Sequence, residues 1–207
     1  SQAIKSQLQQ QIYRLSSDQL RQPITIENEG ESNLYVNLRA SGYEKTVPSA
    51  ANNGIKIERK FYHLDGKPFA GKSLQSGEKL IVGLQVFSDK RLPHAMVVDL
   101  LPAGFEIENQ NFTDSYDQSE LEVDGVSLSI SMNELDIKHT EYRDDRFVMA
   151  LNLARGNSTI YYLVRTVSPG TYRIPPTFAE DMYRPEIRHT GKDAGLFNVL
   201  PRSKGGS

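Results

Sequence analysis

The chain contains no cysteine. That excludes disulfides, thiolate metal sites and a cysteine nucleophile, though it leaves the compartment open, because an exported domain can do without disulfides. Long apolar runs are also missing. The longest, such as AMVVDLL at 95–101, fall far short of the roughly 20 residues a membrane span needs. Neither sign of charge prevails: 24 Lys and Arg stand against 26 Asp and Glu. Lys and Arg nowhere gather into the stripe that neutralising phosphates requires, so nucleic acid is not an expected partner. What is present, 38% hydrophobic residues and ten prolines in 207 residues, suits a folded globular chain. The first residue is Ser and no signal peptide follows it, so the chain reads as a piece of a longer protein whose address or anchor lies upstream.

The motifs of catalysis are missing as well. No Ser occupies a G-x-S-x-G turn and no Gly-rich phosphate loop follows a strand. His63, His94, His139 and His189 are scattered without H-E-x-x-H spacing. His139 and Glu141 alternate along one strand face, but a third metal ligand is lacking. Asp144 and Asp145 are adjacent carboxylates in RDDR (143–146), flanked by two Arg in a strand-to-strand turn, which points to ion pairing rather than acid–base work. The acidic stretch 114–124 does not match the EF-hand spacing and reads as a solvated loop. NFT (111–113) and NST (157–159) are glycosylation sequons by pattern only. No catalytic residue, metal site or cofactor is therefore expected, and a binding or structural module is.

Strand signals dominate the rest. In KLIVGLQVF (79–87), Leu80, Val82, Leu84 and Val86 share one face, and in RFVMALNLA (146–154) Phe147, Met149, Leu151 and Leu153 do the same. NSTIYYLVRTV (157–167) follows a Gly turn, which predicts a hairpin with the preceding run. Segments 53–66, 94–104, 170–176 and 195–201 supply further short strands, and 126–137 suits a short helix. The punctuation by Gly and Pro predicts an all-β fold, an antiparallel β-sandwich with one short helix. Ahead of it, PITIENEGESNLYVNLRASGY (23–43) predicts a small β-hairpin turning at Glu29-Gly30, and 46–54 reads as a linker. Residues 1–20 suit either a short helix or a strand.

One segment stands out. TFAEDMYRPEIRHTG (177–191) sets Met182 and Tyr183 between charged neighbours in a stretch too polar for core. Pro175, Pro176 and Pro185 restrict helical and ladder bonding around it, which predicts an extended edge or loop presenting the two side chains outward.

Read in order, VVDLLPAGFEIEN (97–109), DIKHTEYRDDRFVMAL (136–151), YYLVRTVSPGTYRIPP (161–176) and EDMYRPE (180–186) resemble the C-terminal region of bacterial α2-macroglobulins. The likeness extends through SSDQL (16–20), NLYVNLRASGY (33–43) and IKIERKFYHLDGKP (55–68). The resemblance implies a large exported, periplasmic parent that traps proteases after bait cleavage and in many members carries a Cys-Gln thioester. It implies that 1–50 is the C-terminal part of a CUB-like domain plus linker, 51–201 the last macroglobulin-like, immunoglobulin-like sandwich, and 202–207 a flexible tail. It also implies a role for Met182 and Tyr183, at the position of a Met-Tyr pair that packs on the thioester domain and keeps water out. The implied partners are that thioester domain and, through the parent, target proteases. A structural or adhesive sandwich that binds an envelope partner such as a peptidoglycan synthase is the competing expectation. The sequence upstream of Ser1 separates them by the presence or absence of a C-x-E-Q motif and a bait region.

Overall fold

A computed structural model describes residues 12–16, 18, 23–39, 49–108 and 121–202. The chain divides into two compact units, Ser1–Tyr43 and Glu44–Ser207. In the first, no strand occurs among the described residues. Of the hairpin predicted over 23–43 only the turn forms. The Asn28 side chain accepts the Gly30 N–H at 3.1 Å and donates to the Ser32 carbonyl at 2.8 Å. The flanks carry no ladder, and Ile24, Ile26, Leu34, Val36 and Leu38 are exposed. An isolated two-stranded ribbon is marginal in water, and the described residues of this unit supply no layer to bury these alternating side chains. Residues 1–11 and 40–43 lie outside the described residues, as do 109–120 and with them most of the acidic stretch.

The second unit is built from β1 (Ala51–Asn53), β2 (Ile55–Tyr62), β3 (Pro68–Phe69), β4 (Ser73–Gln75), β5 (Lys79–Ser88), β6 (Leu92–Leu100), β7 (Phe105–Ile107), β8 (Glu122–Val123), β9 (Val126–Ser127), α1 (Leu128–Asn133), β10 (Asp136–Tyr142), β11 (Arg146–Leu153), β12 (Gly156–Thr166), β13 (Gly170–Arg173), β14 (Thr177–Asp181), β15 (Arg184–Thr190) and β16 (Leu196–Leu200). A six-stranded sheet, β1-β15-β14-β6-β11-β10, faces a five-stranded one, β3-β2-β5-β12-β7. β13, β16 and β4 form a third small sheet. The end of the predicted linker is thus a strand: β1 pairs with β15.

The eight inward residues predicted on β5 and β11 are all buried in the core between the two large sheets. The predicted hairpin of 146–154 with 157–167 is not formed. β11 pairs with β10 and β6, whereas β12 pairs with β5 and β7. The short connection is an arch that carries the chain across the sandwich, so that Phe147 of β11 stacks on Tyr162 of β12 at 4.5 Å. Alternation fixes which face of a strand is buried but not which neighbour shares its ladder.

β5 and β12 are apolar on both faces because their outer face is covered too. Ile81, Tyr161 and Leu163 pack under Leu121, Val123 and Leu128. Leu128 opens α1, the short helix expected within 126–137. Val123 and Val126 pair across Asp124-Gly125, whose φ angles of 54° and 77° suit a two-residue hairpin turn. The end of the predicted acidic loop is therefore a hairpin.

Two polar devices fix the framework, the first across the two large sheets and the second locally. Arg59 of β2 donates to Asp99 of β6 at 2.5 Å and to the Pro175 carbonyl at 2.6 Å. The Tyr162 hydroxyl donates to the other Asp99 oxygen at 2.5 Å. The Arg59 and Asp99 side chains are 7% and 0% exposed. Burial pushes the Asp99 carboxyl above its usual range even though the Arg59 charge and the Tyr162 hydrogen bond pull it down. The Tyr162 phenol is driven far up by burial and then by the Asp99 charge. The second device is Tyr172, whose hydroxyl donates to the Ser168 carbonyl at 2.9 Å in the manner of a tyrosine corner. Its ring lies so close over Gly104 that a Cβ there would stand 2.2 Å from it.

Candidate docking site

The β14–β15 hairpin carries the segment singled out in the sequence. β14 is fastened on both sides: Thr177 to Asp181 pair with Asp99 to Ala95 of β6, and Phe178 to Glu180 pair with Thr190 to Arg188 of β15. The register then jumps, setting Asp181 opposite Arg184. Pro185, which has no N–H for the ladder, falls in the bulge that results. Met182 and Tyr183 are left as the two residues of the turn.

Asp181 organises this apex. One carboxylate oxygen accepts the N–H groups of Tyr183 at 3.0 Å and Arg184 at 3.1 Å, while the other accepts the Arg184 guanidinium at 2.6 Å. Burial works to raise its pKa, but the Arg184 and backbone hydrogen bonds outweigh that and hold the carboxyl below its usual range. The Met182 N–H donates to the His94 carbonyl at 2.9 Å, extending the β6 ladder into the turn. The apex is therefore fixed in its backbone and open in its side chains. Met182 is 46% exposed and Tyr183 76%.

The root of the hairpin is locked as well. His189 is buried opposite Ala179. Its Nδ1 lies 2.5 Å from the Asn52 side-chain oxygen of β1, and its Nε2 lies 3.0 Å from the Thr177 hydroxyl. An amide oxygen only accepts, so Nδ1 carries the proton and Nε2 accepts from Thr177. Burial, then the Lys56 charge, holds the His189 pKa below its usual value, which favours the neutral ring.

The remaining candidates do not assemble. Among the described residues no three His, Asp or Glu side chains gather as a metal site. Glu141 on β10 is engaged by Arg143 at 2.6 Å rather than by His139. In the RDDR turn Arg146 pairs with Asp145 at 2.6 Å, while Arg143 reaches back to Glu141. His63 stacks edge-on against Phe69. No helix among the described residues is long and apolar enough to cross a membrane.

The acid side of Asp181 yields an expected result. A carboxyl depressed in the fold adds stability above its unfolded value of 3.8 and loses it as pH falls through the folded value. Asp181→Asn keeps a side-chain oxygen to accept the Tyr183 and Arg184 N–H groups but not the charge. It should flatten the loss of stability below about pH 4 that urea titrations of the unsubstituted chain are expected to show. Asp181→Ala removes both and should cost about 1–3 kcal/mol. An acid slope unchanged in Asp181→Asn would show that Arg184 and the turn do not hold the carboxylate.

Comparison with known proteins also gives two matched segments, which meet at residue 54. Residues 54–186 match the family model of the bacterial alpha-2-macroglobulin MG10 domain, and residues 2–54 that of the alpha-2-macroglobulin CUB domain. The alpha-2-macroglobulin of Xylella fastidiosa strain 9a5c is 42% identical over 80% of this chain and 10% of its own length. That of Escherichia coli K12 is 44% identical over 90% of this chain and 11% of its own. The chain thus spans about a tenth of the length of these curated relatives. Among solved structures, native Escherichia coli alpha-2-macroglobulin from domain MG7 to the C-terminus is 44% identical, with a TM-score of 0.69 over 77% of this chain and 25% of that one. The Escherichia coli protein activated by porcine elastase is 45% identical, with a TM-score of 0.71 over 77% of this chain and 14% of that one. Salmonella alpha-2-macroglobulin reacted with methylamine is 41% identical, with a TM-score of 0.66 over 77% of this chain and 10% of that one. An all-β sandwich assembled from these motifs, and matched over most of its length, belongs to the bacterial alpha-2-macroglobulin family.

Proposed function

We propose that the chain is the non-catalytic C-terminal module of a longer, periplasmic, protease-trapping macroglobulin. Its β14–β15 apex packs on the thioester domain of that same protein and shields the thioester from water. In this reading residues 1–50 complete a CUB-like domain and lead through a linker into the sandwich of 51–201, with 202–207 as a tail. Target proteases are met through the full-length protein and not by this module alone.

The observation that carries the reading is an anchored turn with two large apolar side chains held outward. A domain with no partner gains nothing from fixing Met and Tyr in water, whereas a docking surface does. The chemistry suits a seal. A thioether adapts to an irregular surface, and a phenol ring covers area with two torsions to freeze.

Met182→Ala/Tyr183→Ala should change the stability of this chain by less than about 0.5 kcal/mol, since neither side chain is core. In the full-length protein the same pair should speed methylamine-driven release of the thioester thiol about tenfold or more, the scale of losing a docking hot spot. Equal release rates in the wild type and the double variant, followed with a thiol reagent, would contradict shielding.

A further inference from the structure

Asp181 fixes the backbone of the apex, but it does not touch the Tyr183 ring. Something else does. The His94 ring meets the Tyr183 ring edge-on, with centroids 4.7 Å apart and planes at 79°. The same residue's carbonyl accepts the Met182 N–H. One residue of β6 thus governs both members of the exposed pair, the first through its main chain and the second through its side chain.

His94 is well placed to do so. β6 lies inside the six-stranded sheet between β14 and β11, and Leu92 and Ala95 on either side of His94 are buried. The main chain at 94 is consequently held by the core, while the imidazole itself is exposed on the surface beside the turn. An exposed ring contributes little to the sandwich, so its contact with Tyr183 is best explained by what it does to Tyr183.

We propose that His94 is a positioning residue of the docking apex: it holds the Tyr183 ring in the orientation in which the ring meets the partner domain. The proposal rests on the shielding reading for its consequence, though not for its geometry. A ring ordered before docking loses less side-chain freedom when it docks. Aromatic pairs of this geometry contribute beyond their buried area, on a scale that corresponds to about a two- to tenfold change in an equilibrium. His94→Ala should therefore weaken the seal by that factor, and His94→Phe, which keeps a flat ring and the same carbonyl, should restore most of it.

Two measurements separate this inference from the reading it rests on. In the 207-residue chain, NMR of the Tyr183 ring protons should show shifts displaced from free tyrosine in the wild type and in His94→Phe. In His94→Ala they should collapse toward free values, with the unfolding midpoint unchanged. Identical Tyr183 shifts in the wild type and His94→Ala would overturn the proposal. In the full-length protein, methylamine-driven thiol release should rise about two- to tenfold in His94→Ala and return near wild type in His94→Phe. Added to Tyr183→Ala, His94→Ala should have no further effect. If Tyr183→Ala speeds release and His94→Ala does not, positioning by His94 is refuted and shielding stands. If neither variant changes release while the NMR shifts behave as expected, shielding is refuted and the positioning of Tyr183 by His94 stands.

Discussion

Arg59→Ala is expected to lower the unfolding free energy by about 3–5 kcal/mol, more than most single surface changes combined. The side chain is a cation sealed between the two sheets, and its removal strands Asp99 in the core with only the Tyr162 hydroxyl as partner. It also frees the Pro175 carbonyl, which Arg59 clamps just before β14 begins. Asp99 sits opposite Thr177, so the loss would be felt at the root of the β14–β15 hairpin. The pH dependence has a definite sign. A carboxyl raised by the fold adds stability that is fully present below its unfolded value of 3.8 and is lost as pH rises through the folded value. Without Arg59 the folded value rises further, because a compensating cation is gone. The gap in urea midpoint between Arg59→Ala and the wild type should therefore be widest near neutrality and narrow in acid. Arg59→Met/Asp99→Leu, which removes both charges and keeps the volume, should cost less than Arg59→Ala alone. A double variant that costs as much as Arg59→Ala or more would show that the pair is a source of net stability.

Phe147→Ala comes next, with an expected cost of about 3–5 kcal/mol in the same titrations. Phe147 is fully buried on β11, with its ring parallel to that of Tyr162 across the sandwich and 5.5 Å from that of Tyr142. The cavity would open at the seam between the sheets, where fixed backbones on both sides limit collapse. It would also loosen the ring whose hydroxyl serves Asp99. A loss under about 1 kcal/mol would mean that β11 and β12 do not face each other as the arch requires.

That arch marks the limit of what periodicity can report. The inward phase of Phe147, Met149, Leu151 and Leu153 was legible because alternation is a property of one strand. Whether β12 pairs beside β11 or crosses to the other sheet depends on contacts far away in sequence, and a short Gly-containing connection serves both. The buried ion pair had a signal of its own kind. Arg59 continues the inward phase of Ile55 and Ile57, and Asp99 that of Ala95 and Val97. Two opposite charges in core phase on strands 40 residues apart can be read as a pair only once the sheets are stacked. The first unit misled for a related reason. Its alternation is real, but a strand needs a layer to bury its face, and the described residues of that unit hold none.

The β14–β15 apex was half legible. Charged neighbours and flanking prolines marked Met182 and Tyr183 as outward-facing. The expected edge or loop is wrong for the strands around them: β14 is laddered on both sides, and Thr177, Ala179, Asp181, Ile187 and His189 are buried. The two residues that hold the apex were not visible. Asp181 reads as one more acidic residue until its turn closes, and His94 lies far away in sequence and reaches Tyr183 only through the β6–β14 register.

The most direct test places a photo-crosslinking aromatic residue at position 183 of the full-length protein and maps the adduct by mass spectrometry. Docking of the apex on the thioester domain requires the crosslink to fall on the peptides surrounding the thioester before protease activation. A crosslink confined to this chain's own residues, or to a domain that bears no thioester, would contradict it.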